Sequence, residues 1–197
     1  IPANRLFNHP NVTRETEETV RTAVRKLPSH IYRLLENGGV TISIGPNIID
    51  KWPDMVKNGR LDAAAESLAR EGGRCYDRDV HVWERSIVRG TLNTGSLNSQ
   101  DEIRNALHHE IGHAIDDCQG IYSATDEALR CHQDDVKQMD PVVRSRLSYY
   151  TQDGKKGASE ACAELTSYLL GSRDNDSIAC FQNFKRLLPL VKRKTSL

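Results

Sequence analysis

Apolar positions recur at helical spacing near the start of the chain. Val20, Val24 and Leu27 fall on one stripe, and Glu15, Glu17 and Glu18 stand in the first turns, so residues 13–27 read as a helix that Pro28 stops. Residues 29–36 continue as a short helix with Ile31, Leu34 and Leu35 inward, ended by Gly38-Gly39. Val40 to Ile44 then alternates like a half-buried strand closed by Gly45-Pro46. After a loop at Trp52-Pro53-Asp54, Leu61, Ala64, Ala65 and Leu68 return to helical spacing until Gly72-Gly73. Val80, Val82, Ile87 and Val88 mark one or two strands in residues 80–89, followed by a turn-rich stretch over 90–98.

From Ser99 the pattern is helical almost to the end. Ser99 and Glu102 form a capping box at the head of the first of these helices. Further helices are expected over 123–138, over 141–149 after the cap Asp140 and first-turn Pro141, over 159–170, and over 177–191, with a polar loop at 151–157. The pattern predicts an α+β protein: a single domain with a strand-containing lobe over 1–98 and a helical lobe over 99–197.

Composition narrows the functional classes. In a chain of 197 residues, Lys plus Arg and Asp plus Glu number 27 each, so no uniform basic field exists to hold nucleic acid. No apolar run approaches the roughly 18 residues that span a bilayer, and Ile1-Pro2-Ala3-Asn4-Arg5 has no signal-peptide pattern. A start at Ile1 reads as a processed or excised piece. The cysteines Cys75, Cys118, Cys131, Cys162 and Cys180 are odd in number with no Cys-x-x-Cys pair, which leaves free thiols and one or two disulfides both open. Trp52 and Trp83 are expected in packing, and Lys192, Arg193 and Lys194 at the end of a docked terminal helix.

The chemistry lies in Leu107-His-His-Glu-Ile-Gly-His-Ala-Ile115. His109 and His113 are one turn apart on one helix face, where two imidazoles reach a single ion, and Glu110 is rotated about 100° from His109, beside the ion. Zinc held by three side chains lowers its water's pKa to about 7, and a neighbouring carboxylate can then take the proton. A chance pairing of histidines is the competing reading. Against it stand the capped helix, its apolar face of Ile103, Ala106, Leu107, Ile111, Ala114 and Ile115, and Gly112, whose helix cost implies that something approaches the backbone there. His108 has Gly112 as its four-residue partner and faces elsewhere.

A third ligand is required. Glu160 and Glu164 share a helix face among small and apolar side chains, with no Lys or Arg one turn away in a helix starting at 159, although a solvated acidic stripe has the same spacing. Asp116, Asp117, Asp126 and His132 are the other candidates. Gln119 stands where the metzincin pattern needs histidine, which excludes that subclass.

The run His109-Glu-Ile-Gly-His-Ala-Ile-Asp-Asp117 with Gly120, followed by Glu160-x-x-x-Glu164, resembles the catalytic domain of anthrax lethal factor and its relatives, among them the clostridial Pro-Pro endopeptidases. The resemblance extends loosely over residues 27–44. It implies a zincin-like metalloprotease fold and a Zn2+ site of His109, His113 and Glu160. It further implies Glu110 as general base, Glu164 as a supporting carboxylate that orients a ligand histidine, and a tyrosine that donates to the oxyanion. Tyr149 and Tyr150 are both available, and Tyr150 aligns better, with 151–157 as an insertion. The implied activity is zinc-dependent endopeptidase action on a protein or peptide substrate added to a strand edge within 80–89, by a monomer secreted or delivered to a host cell. Two other readings stay open: a catalytically inactive, protease-like protein-binding module, and a metal hydrolase of non-peptide substrates.

Overall fold

The computed structural model describes residues 6–8, 11–68 and 71–197, without the side chains of 6–8, 64 and 67. Ile1 to Arg5 and the Ala64 side chain, both used above, lie outside the described residues. The chain divides into two compact units, Ile1–Glu110 and Ile111–Leu197, with the division falling inside one helix.

The first unit runs β1 (Leu6–Asn8), α1 (Arg14–Arg25), α2 (Ser29–Asn37), β2 (Thr41–Gly45), α3 (Ile48–Lys51), β3 (Val56–Lys57), β4 (Arg60–Leu61) and α4 (Ala63–Leu68). It continues with β5 (Gly73–Tyr76), β6 (Asp79–Trp83), β7 (Arg85–Ile87) and β8 (Thr94–Leu97), then opens α5 (Gln100–Cys118). Thr13 caps α1 by accepting from the Thr16 N–H. The buried Glu84 carboxylate accepts from the Thr13 N–H and hydroxyl and the Thr16 hydroxyl at 3.0, 2.8 and 2.9 Å, which ties the head of α1 to the end of β6.

Four strands form a mixed sheet in the order β1-β2-β6-β5, with β2 parallel to β1 and β6, and β5 antiparallel to β6. The half-buried alternation expected for β2 is not what the fold uses. Ile42, Ser43, Ile44 and Gly45 are all buried, because a central strand covered on both faces has no solvent side. The 80–89 stretch is two strands, and β6 is flanked by β2 and β5, so its edges are closed to a peptide; β5 is the edge strand on that side. The turn-rich 90–98 contains β8, which pairs with β7 in a hairpin.

The second unit completes α5 and adds α6 (Asp126–Gln138), α7 (Pro141–Arg146), α8 (Gly154–Leu170), α9 (Asn175–Asn183) and α10 (Leu187–Thr195). Its core gathers Tyr122, Val136, Leu147, Ala161, Leu165, Phe184, Leu187 and Val191. Several boundaries differ from the sequence reading, among them the helix expected over 141–149, which ends at Arg146. The helix expected from 123 begins at Asp126, capped by Thr125. α8 starts at Gly154, so half of the expected polar loop is helix, and Lys156 stands one turn before Glu160 with its ammonium over the Tyr149 ring. Residues 177–191 are two helices, because the buried Asp135 carboxylate accepts from the Arg186 and Leu187 N–H groups at 3.0 Å and starts α10 afresh.

Among the described residues, none of Cys75, Cys118, Cys131, Cys162 and Cys180 is in a disulfide. Trp83 is fully buried with Ile48 and Ile87, and Trp52 packs partly buried against them. α10 docks through Leu187, Leu190 and Val191, and the exposed Arg193 pairs with Glu127 at 2.7 Å. No helix among the described residues is long and apolar enough to cross a membrane.

Candidate metal centre

Helix α5 is built to present its histidines. The Ser99 hydroxyl accepts from the Glu102 N–H at 3.2 Å, and the Glu102 carboxylate accepts from the Ser99 N–H and hydroxyl at 2.7 and 2.8 Å. Ile103, Leu107, Ile111, Ala114 and Ile115 are buried, and the remaining face carries His109 and His113, each partly exposed.

Two glycine contacts fix the neighbours of this helix. A Cβ on Gly112 would lie 2.7 Å from the Ala163 carbonyl oxygen and 2.8 Å from its Cα, so α8 packs backbone to backbone on α5 three residues beyond Glu160. The close approach inferred from Gly112 is therefore α8 itself. A Cβ on Gly73 would lie 2.8 Å from Glu110 Cγ, and one on Gly72 would lie 2.8 Å from the Ala106 Cβ. These glycines, read from sequence as the end of a helix, let β5 run against α5 beside Glu110.

His109, His113 and Glu160 each offer one ligand atom, and those atoms all lie within 4.8 Å of one another. His113 Nε2 is 3.2 Å from Glu160 Oε2, with the two side chains 22% and 12% exposed. Ligands about 2.1 Å from a tetrahedral zinc are separated by about 3.4 Å, so this pair already has the spacing of two zinc ligands. On its other side, His113 Nδ1 lies 3.4 Å from the Ser159 hydroxyl. Were Nε2 to hold an ion, Nδ1 would keep the proton and donate to Ser159, which would fix the tautomer and the ring plane. Ser159 carries no motif of its own; its adjacency to Glu160 was the available signal.

The remaining site residues stand as follows. Glu110 and Glu164 are buried, at 7% and 4% exposed, so Glu160 and Glu164 are not a solvated stripe. The Tyr150 hydroxyl donates to Glu164 Oε2 in a long contact of 3.5 Å and is also a hydrogen-bond partner of Asp176. Burial, then the Glu164 charge, pushes the Tyr150 hydroxyl well above its ordinary value, which keeps it a proton donor. Tyr149 is exposed and edge-on to Tyr150.

Of the other candidate ligands, Asp116 and His132 have structural roles, while Asp117 is half-buried and Asp126 is exposed at the head of α6. The Asp116 carboxylate accepts from the Ser123 N–H at 2.9 Å and from its hydroxyl. Its carboxyl is raised by burial, opposed by those bonds. His132 stacks on Phe184 and directs Nε2 at the Tyr150 carbonyl, 2.8 Å away. His108 is buried, and burial followed by the Arg104 charge brings it down to about 4.

No family model matches the sequence, and no curated protein matches it. The structure is similar to that of the Pro-Pro endopeptidase PPEP-2 from Paenibacillus alvei, with a TM-score of 0.57 and 16% identity over 98% of this chain and 96% of that chain. The chain has a peptidase's fold. It is α+β and zincin-like, and the likeness is to a Pro-Pro endopeptidase. At 16% identity it speaks for the fold alone.

Proposed function

We propose that the chain is a zinc-dependent endopeptidase. The observation that carries this reading is the convergence of His109, His113 and Glu160 on a space the size of one ion. Two imidazoles and one carboxylate are the donor set of an open catalytic zinc, and His113 and Glu160 leave a route for solvent. Zinc held there would acidify a water and polarise the scissile carbonyl.

The chain's own residues supply the rest. Glu110, next along the helix from His109 and pressed by Gly73, accepts the proton of the attacking water and returns it to the departing amine. Tyr150 donates its hydroxyl hydrogen to the developing oxyanion, a role that requires the hydroxyl to turn from Glu164 toward the substrate. Glu164 holds that hydroxyl until then. The substrate is an extended peptide added to the edge strand β5, the strand that passes Glu110.

The test is turnover of a decapeptide mixture, read by mass spectrometry, for zinc-loaded wild type and Glu110→Gln. Cleavage by the wild type and none by the variant supports the assignment. Equal cleavage by both, with zinc present in each, removes Glu110 from the mechanism. A zinc-loaded wild type that binds peptides and cuts none makes the chain a binding module.

A further inference from the structure

The edge strand β5 carries a feature that the catalytic reading does not use. Arg74 lies with its guanidinium carbon 5.0 Å from the centre of the Trp52 ring and 5.0 Å from that of the Tyr76 ring. Two rings therefore lie against one cation, an arrangement that steadies a long side chain without using its N–H donors. Among the described residues no carboxylate pairs with Arg74. Ring faces stand against its charge, while Tyr76 is 60% exposed and leaves the group open to solvent.

The strand register places this cation with respect to an added peptide. Gly73 stands opposite Val82, and Arg74 opposite His81, with the Trp83 N–H donating to the Gly72 carbonyl at 3.0 Å. Antiparallel bonding alternates, so Gly73 turns its backbone N–H and carbonyl outward from β6. Arg74, the next residue, has its side chain on the opposite face from the Gly73 position that Glu110 closes. A peptide hydrogen-bonded to this edge puts alternate side chains on the Arg74 face, and the residue opposite Arg74 comes within reach of the guanidinium.

We propose that Arg74, held by Trp52 and Tyr76, is a specificity-determining residue that selects an acidic side chain in the peptide lying on β5. The proposal rests on the peptidase reading above and adds the substrate class to it. A glutamate or aspartate offers the two oxygens that a guanidinium's forked donors match, whereas lysine or arginine at that position meets a like charge. Because the group is open to solvent, the preference weakens as salt rises.

The experiment uses the zinc-loaded full chain and decapeptide mixtures in which each position in turn is fixed as Glu, Gln, Lys or Leu. Cleavage is read by mass spectrometry for wild type, Arg74→Glu and Arg74→Leu, with zinc content and melting temperature measured on the same samples. The expected result is one position at which the Glu mixture is cut about threefold to fivefold faster than its Gln twin by the wild type. Arg74→Leu levels the two, and Arg74→Glu turns the preference to Lys. Cleavage with no Glu preference, or one unchanged in both variants, overturns the proposal and leaves the peptidase reading intact. Absence of cleavage in every mixture overturns both together.

Discussion

Two histidines in this molecule begin alike and end differently. His81 on β6 and His113 on α5 each set Nδ1 against a serine hydroxyl, Ser43 at 2.6 Å and Ser159 at 3.4 Å. The difference is at Nε2. In His113 it meets the Glu160 carboxylate in a partly exposed space. In His81 it is buried without a hydrogen-bond partner among the described residues, and a Cβ on Gly45 would come within 2.9 Å of it. A serine on one nitrogen orients an imidazole in both places, but only open space and a second donor on the other nitrogen make a ligand.

The largest expected effect concerns the carboxylate beside the ligand pair. Glu110→Gln should retain zinc and lower kcat by about a thousandfold or more, measured on whichever peptide the wild type cuts fastest. Unchanged kcat would leave the His113 region no more catalytic than the His81 region.

Next is the packing that brings Glu160 to His113. Gly112→Ala drives a methyl into the Ala163 backbone, so the helices must part; a stability loss of about 2–3 kcal/mol with weakened zinc binding is expected, checked by urea unfolding and zinc titration. A variant with full zinc affinity would show that Glu160 does not depend on this contact.

The His81 side is sharpened by pH. Burial, then the Lys51 charge, brings His81 down to about 4, with Asp79 acting the other way. The folded state thus keeps His81 neutral while the unfolded chain takes up a proton near pH 6.5. Its stabilising contribution is complete above pH 6.5 and is lost as pH falls toward 4, about 3 kcal/mol between pH 7 and pH 4. Urea midpoints across that range should fall less steeply in His81→Asn than in wild type. Parallel curves would place the titrating groups elsewhere.

The smallest effect belongs to Ser159. Ser159→Ala should loosen zinc by about tenfold through the freed His113 ring, with the fold unchanged. Affinity equal to wild type in a competition titration would make the 3.4 Å contact incidental.

What the sequence disclosed was local. The Ser99–Glu102 capping box, the one-turn spacing of His109 and His113 and the anomaly of Gly112 are each set within a few residues, and each is found in the fold. What it withheld depends on distant partners. Asp135 starts α10 from more than fifty positions away, although Pro189, which fits only the first turn of a helix, was a signal that residues 177–191 could not be continuous. Gly154 and Gly157 read as a loop; yet Gly157 is glycine because the Gln152 carbonyl occupies the space of a side chain, within a helix. β5 was hidden by brevity, since Gly-Arg-Cys-Tyr has no alternation to read. The pairing of His109 and His113 was legible in their spacing, whereas Glu160 was singled out among several candidates only by the resemblance, because it meets His113 through the packing of α5 on α8.

The central claim is a zinc site made by His109, His113 and Glu160, and elemental analysis of the purified full chain tests it most directly. Wild type, Glu110→Gln and Glu160→Ala would be dialysed side by side against a zinc buffer. The account predicts one zinc per chain in the first two, and zinc lost or bound at least about a hundredfold more weakly in Glu160→Ala. Wild-type protein that stays metal-free in the zinc buffer, or Glu160→Ala that holds zinc as tightly as wild type, would contradict it.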